Sequence, residues 1–334
     1  MAGIADLATD ERRARVLLSI LSAPDDAITG RILARAGGVE TIRLLEDDGA
    51  VPGRNRVDAQ VWRDRLALPR RLEDVADRMR GIEQSGITTV IPGDAHWPQA
   101  LNDMGERVPY VLWARGATSF LARPAADLVT ITGARAATAY GEYVAGEIAG
   151  DLSRGERVVV AGGAYGIEGA AHRAALASGG DTIAVLANGV DRPYPTGHRE
   201  LLDRVADVGL LVSEVPPGSA PTRQRFLARG RLMATLSGST VVVEAGARSG
   251  ALHTAVEAQR LGRSVGAVPG PVTSVTSSGP HMLLRNGTAQ LVTDGNDVEE
   301  LINHAPGNGA DRAALGPAFA RRPVPSTDAP TQSM

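Results

Sequence analysis

The sequence predicts an α/β protein: a doubly wound, mostly parallel sheet preceded by a small helical unit. Three observations carry that prediction. From about Asp127 onward, apolar runs of strand length alternate with helical stretches, the rhythm of βα units. These runs are strongly apolar, so the strands are buried on both faces and helices must cover both sides of the sheet. Before them, from Glu11 to about Arg80, apolar residues recur only at helical spacing.

In the N-terminal unit, residues 1–85, the helical pattern runs through Val16, Leu17, Ile20 and Leu21, then Ile32 and Leu33, then Ile42, Leu44 and Leu45. Gly37-Gly38 separates two of these stretches, as in a helical hairpin that packs or that touches a nucleic-acid backbone. Residues 86–126 read as a connector packing on the next domain, with Pro92, Pro98 and Pro109 breaking any long element. The main domain, 127–303, supplies expected strands at Leu128–Thr132, Arg157–Ala161, Thr182–Leu186, Gly209–Ser213, Thr240–Glu244, Ser264–Val268 and Gln290–Thr293. Helical stretches with an apolar stripe lie between them, among them Thr138–Leu152, Ile167–Ala177 and Gly250–Leu261. This is a Rossmann-like arrangement, in which ligands bind beyond the carboxyl ends of the strands. Residues 304–334, rich in Pro, Ala, Gly and Arg, read as a disordered tail.

Composition removes several chemistries. The 334 residues contain no cysteine, which excludes disulfides, thiolate nucleophiles and cysteine-ligated zinc. They contain no lysine either, so all 35 basic residues are arginine, and a Walker-type phosphate loop or Schiff-base chemistry is out of reach. No stretch of about 18 apolar residues is present, and the N-terminus does not read as an export signal, so a cytoplasmic location off the membrane is expected. Net charge is −3, so any affinity for nucleic acid must rest on a local patch.

The strand ends supply that patch. Gly133-Ala134-Arg135 follows the first strand and precedes a helix, an arrangement suited to seating a phosphate on backbone N–H groups and a guanidinium fork, or simply to a tight turn. Gly162, Gly163 and Gly166 follow the second strand, but Ala161 stands where a dinucleotide fingerprint would begin, so the match is degenerate. Tyr165 can stack on a base or cover the turn, Glu168 complements a helix dipole, and His172 reads as a core histidine. Between Glu214 and Glu244 there is no acid, while Arg223, Arg225, Arg229 and Arg231 cluster around Phe226. Arginines around an aromatic suit single-stranded nucleic acid, although some of them can instead pair with Glu214. Ser249-Gly250 caps a further helix, which carries Thr254, and forms a second anion seat; Glu257 lies about 12 Å further along it, too far to act there. No catalytic residue, metal site or cofactor is expected.

The order of these motifs resembles the DprA/Smf DNA-processing family, from about Asp94 to Asp294. It is carried by Gly133-Ala134-Arg135 with Tyr140-Gly141, Gly166-Ile167 with Ala171-His172, Asp191 with Tyr194-Pro195, and Ser213-Glu214 with Pro216-Pro217-Gly218. Arg231, Val243-Glu244-Ala245, Ser249-Gly250, Thr254-Ala255 and Val268-Pro269-Gly270 continue the series. The resemblance implies a homodimer that binds single-stranded DNA and delivers it to the RecA recombinase in transformation or recombination. Mapped onto this chain, Gly133, Arg135, the Gly162 to Gly166 turn, Arg223, Phe226, Arg229, Arg231, Ser249, Gly250 and Thr254 become the expected DNA-binding set. The chain departs from the family pattern at Tyr165, usually basic, at Glu168, usually aspartate, and at Gly230 and His281, usually asparagine. The winged helix that many members carry at the C-terminus is not recognisable. The competing reading is a nucleotide-binding enzyme or sensor of similar fold.

Overall fold

The structure is a computed structural model that describes residues 3–66 and 72–303; the tail expected at 304–334 lies outside the described residues. The N-terminal part contains α1 (Glu11–Leu21), α2 (Ala27–Ala36), α3 (Gly38–Glu46), α4 (Arg56–Leu66) and α5 (Leu72–Gln84). Aspartates start the first two: Asp10 accepts from the Arg13 amide, and Asp26 accepts from those of Ile28 and Thr29. The Gly37-Gly38 hairpin between α2 and α3 packs on α1, the Gly38 amide donating to Glu11 at 2.7 Å. Leu17, Ile20, Ile42, Val75 and Met79 share one core with Trp113, Ala184, Leu186 and Leu211, so these helices close one face of the sheet.

The strands are β1 (Thr88–Val90), β2 (Leu112–Gly116), β3 (Leu128–Thr132), β4 (Val158–Gly162), β5 (Thr182–Leu186), β6 (Leu210–Ser213), β7 (Ser239–Val242), β8 (Ser264–Ala267) and β9 (Gln290–Leu291). The helices that alternate with β3 to β9 are α6 (Ala139–Arg154), α7 (Ile167–Ala177), α8 (Arg199–Val208), α9 (Arg223–Leu236), α10 (Gly250–Arg260), α11 (Ser278–Arg285) and α12 (Gly295–Asn303). The strands form one nine-stranded sheet in the order β1-β2-β6-β5-β4-β3-β7-β8-β9. Strands β6 through β9 of that order run parallel, whereas β2 pairs antiparallel with both β1 and β6, with Trp113 opposite Ser213. The fold is thus α/β, Rossmann-like and mostly parallel, as the alternation predicts. The stretch read as a connector nevertheless contributes β1 and β2. Past Pro109, the run Tyr110–Ala114 is buried and free of breakers, and it finds an unpaired edge at β6.

Both faces of the sheet are covered. Val144, Ile148, Ile167 and Val298 of α6, α7 and α12 pack on one side of the sheet with Val129 and Ile131. Leu232, Met233 and Leu236 of α9 pack on the other with Val158, Val160 and Ile183. From β3, the chain winds outward through β4, β5 and β6 on one side and through β7, β8 and β9 on the other. The winding direction therefore reverses between β3 and β7, which places a crevice at the carboxyl ends of the strands. Among the described residues, no helix is long and apolar enough to cross a membrane.

Candidate nucleic-acid interface

The loops that flank the crevice are stitched together. The Ala134 amide donates to the Glu244 carbonyl at 2.6 Å. The buried Glu244 carboxylate accepts from the amide and hydroxyl of Thr138 at 2.9 and 2.7 Å and from the Thr276 hydroxyl at 3.0 Å. Gly133 permits this approach, since a Cβ there would lie 2.7 Å from both the Glu244 carbonyl and Ile167. Gly166 has φ +71, and a Cβ on it would overlap the Ala134 and Arg135 carbonyls. With both turns drawn inward, the Arg135 side chain is left exposed over the crevice.

The opposite wall is the start of α9, capped by Thr222, whose hydroxyl accepts from the Arg225 amide. Arg223, Phe226 and Arg229 follow at three-residue spacing and so share a face. The Arg135 guanidinium carbon lies 4.3 Å from the Phe226 ring centroid and that of Arg229 lies 5.3 Å from it. Tyr194 approaches the same ring at 6.3 Å, and Tyr165, about half exposed, sets its ring edge-on to His198 at 4.6 Å. Arg229 is held from behind by Glu168, which accepts from its Nη2 at 2.8 Å and also from the Thr132 hydroxyl and the Ala164 amide, both at 3.1 Å. Arg135, Arg223 and Arg248 are exposed and make no ion pair with a carboxylate among the described residues. With Phe226, Leu227 and Ser249 they line an open groove of about 750 Å³, which continues past Arg135 and Phe226 into a cavity bounded by Tyr165, Asn188 and Tyr194.

The remaining residues of the expected set fall into three places. Ser249 caps α10, its hydroxyl accepting from the Ala251 amide at 3.3 Å, with Gly250 exposed beside it. Thr254 is buried where α10 meets α9: a Cβ on Gly230 would lie 2.7 Å from its hydroxyl, so the glycine standing in place of asparagine is what allows the two helices to touch. Gly162 and Gly163 are buried in the floor, where Gly162 makes room for the Arg229–Glu168 pair. Arg231 must be removed from the surface set. It is 1% exposed, its Nη2 lying 2.7 and 2.9 Å from the Glu214 oxygens and its Nε 3.0 Å from Asp25. Two residues along a helix turn by about 200°, so Arg229 and Arg231 cannot share a face. The structure adds Arg248, Tyr165 and Tyr194 to the lining. Two of these had a sequence signal, Tyr165 as a residue able to stack on a base and Tyr194 within the Tyr194-Pro195 motif, but nothing local points Tyr194 toward Phe226.

The acids nearest the crevice and two of its histidines are committed to structure, whereas His253 of α10 is exposed on the groove lining. His172 is fully buried, with Nδ1 2.8 Å from the Thr182 hydroxyl and Nε2 3.1 Å from the Gly162 carbonyl, and burial pulls its pKa from 6.5 down to about 4. His281, at its point of departure from the family pattern, contacts the Gly270 carbonyl at 3.0 Å. Glu257 pairs with Arg107 and Arg260, each at 3.0 Å. No cluster able to hold a metal ion occurs among the described residues. The crevice offers guanidinium forks, backbone amides and exposed aromatic faces, a combination suited to phosphates and unpaired bases.

Residues 88–303 match the family model of the DNA recombination-mediator protein A family. The chain is 49% identical over 245 residues to the Mycobacterium tuberculosis protein that carries the DprA name, covering 70% of this chain and 62% of that one. It thus spans less than two thirds of that relative's length. It is 38% identical over 205 residues to the DNA processing protein DprA of Streptococcus pneumoniae, covering 61% of this chain and 71% of the relative. The X-ray structure of the Streptococcus pneumoniae protein superposes with a TM-score of 0.70 at 29% identity, covering 89% of this chain and 97% of that one. DNA processing protein A from Helicobacter pylori, solved in a study of its single-stranded DNA binding, superposes with a TM-score of 0.58 at 28% identity, covering 64% of this chain and 94% of that one.

Proposed function

The chain belongs to the DNA recombination-mediator protein A family, and from that membership we propose that it binds single-stranded DNA across the crevice between β3 and β7. The observation that carries the reading is the Phe226 ring flanked by the Arg135 and Arg229 guanidinium groups, with Arg223 and Arg248 exposed along the same groove. Phosphates lie against the arginines and the amides at Gly133 and Gly250, while bases stack on Phe226, Tyr165 and Tyr194. A single strand fits this chemistry better than a duplex, because only unpaired bases expose their faces to the aromatics. The single-stranded DNA binding of the Helicobacter pylori protein supports the same assignment.

The finer reading is that the chain acts in the cytoplasm as a homodimer, protects exposed or incoming strands, and helps load RecA without doing chemistry on the DNA. Glu168, Glu244 and Glu257 each spend their carboxylates on internal partners, which favours a binding role over hydrolysis. Fluorescence anisotropy with labelled poly-dT, against a duplex of equal length at two salt concentrations, tests the core of the proposal. Salt-sensitive binding that prefers the single strand is expected; no binding at low salt overturns it. RecA filament assembly on a protein-coated strand then tests loading.

A further inference from the structure

Beneath the crevice, a chain of ion pairs joins its two walls to the N-terminal helices. Arg231 of α9 binds Glu214, just after β6, and its Nε lies 3.0 Å from Asp25 in the turn between α1 and α2. Asp25 accepts from Arg107 through both carboxylate oxygens, at 2.7 and 2.9 Å. Arg107 also donates to Glu257 of α10 at 3.0 Å. The residue before it, Glu106, is gripped by both Nε and Nη2 of Arg31 on α2 at 2.6 Å. From α5, Arg78 reaches Pro217 and Ser219, at 3.1 and 2.9 Å, in the loop that leads into α9.

Asp25 is the junction of this chain. It has φ +64, a left-handed conformation that aspartate adopts more readily than most residues but at some cost. Burial alone would raise the pKa of its carboxyl, but the Arg107 hydrogen bond and the charges of Arg231 and Arg107 outweigh burial and hold it below the ordinary value. Neither Asp25 nor Arg107 lines the crevice. Where α9 and α10 meet beneath it, small residues dominate the contact: Gly230 meets Thr254, and Ala234 shares a core with Ala251 and Ala255. Buried ion pairs add little net stability once desolvation is counted, whereas their geometry is demanding. What this chain of pairs supplies is therefore a defined placement of α9 relative to α10.

We propose that Asp25 and Arg107 are positioning residues through which the N-terminal helices set the spacing of α9 and α10, and with it the grip of the crevice on a strand. The binding consequence rests on the crevice being the single-stranded DNA site; the structural coupling does not.

The test uses the full chain with Asp25→Asn and, separately, Arg107→Lys. Without DNA, amide hydrogen exchange is expected to speed up in the middle turns of α9 and α10, around Arg231 and Glu257, while β3, β4 and β5 keep their protection. With poly-dT, each variant weakens binding roughly three- to tenfold at every salt concentration, without changing the salt slope. Combined with Phe226→Leu, Asp25→Asn costs less than the sum of the two single losses, since both act through α9. Unchanged exchange in α9 and α10 overturns the proposal, as does loss of protection throughout the sheet, which marks a purely global stabilising role. Strictly additive binding losses overturn it as well. If the wild type binds no strand, the reading of the crevice falls, and the exchange measurement still decides the coupling.

Discussion

The guanidinium of Arg135 lies over the face of Phe226, 4.3 Å from the ring centroid. One comes from the loop after β3 and the other from the second turn of α9, so the contact spans the mouth of the crevice. A cation on an aromatic face keeps both groups oriented while leaving the guanidinium edges free to donate to phosphate.

Arg135→Ala should therefore weaken binding to every single-stranded sequence alike. It should also make the dependence of log K on log salt shallower by about 0.7, the share of one phosphate contact. Anisotropy titrations over a salt series measure this. An unchanged slope would take Arg135 out of the interface.

Glu168→Gln tests whether the carboxylate behind Arg229 restrains it. The pair is nearly enclosed, with Arg229 12% and Glu168 3% exposed at their side chains, so the positive charge at Arg229 is largely neutralised from within. Removing the negative charge should tighten binding at low salt and steepen the slope by up to about 0.7. Weaker binding with an unchanged slope would mean that the carboxylate instead holds Arg229 in its working position.

Arg231→Met leaves Glu214 without its cation in a buried setting. A loss of about 3–5 kcal/mol in urea unfolding is expected, partly recovered when Glu214→Gln is added. A loss under about 1 kcal/mol, the scale of a surface ion pair, would contradict the buried assignment.

His172 makes stability depend on pH. Its folded pKa is depressed from 6.5 to about 4, so as pH falls through that window the unfolded chain takes up a proton that the native state refuses. Stability is lost on acidification, with a slope of up to about 1.4 kcal/mol per pH unit, and none of this loss appears above about pH 7. Urea unfolding of His172→Gln between pH 7.5 and 4.5 should show a correspondingly shallower slope. Equal slopes in the variant and the wild type would show that the histidine is not held neutral.

The alternation of apolar strand runs and amphipathic helices is a local signal, and it was enough to read the doubly wound sheet. Every expected strand appears with its ends shifted by at most two residues. The acid-free stretch around Phe226, the Ser249 cap and the core role of His172 were legible for the same reason, since composition and near-neighbour spacing determine them. The antiparallel addition of β2 was not, because a short apolar run after Pro109 acquires its meaning only from the open edge of β6. Helix periodicity alone separates Arg229 from Arg231, but only tertiary packing sends one toward Phe226 and the other toward Glu214 and Asp25. The sequence by itself determined which segments are strands and helices and where arginine is concentrated. The tertiary structure decided which of those arginines meet water and which are spent on buried carboxylates, because that choice depends on charges brought together by chain segments far apart in sequence.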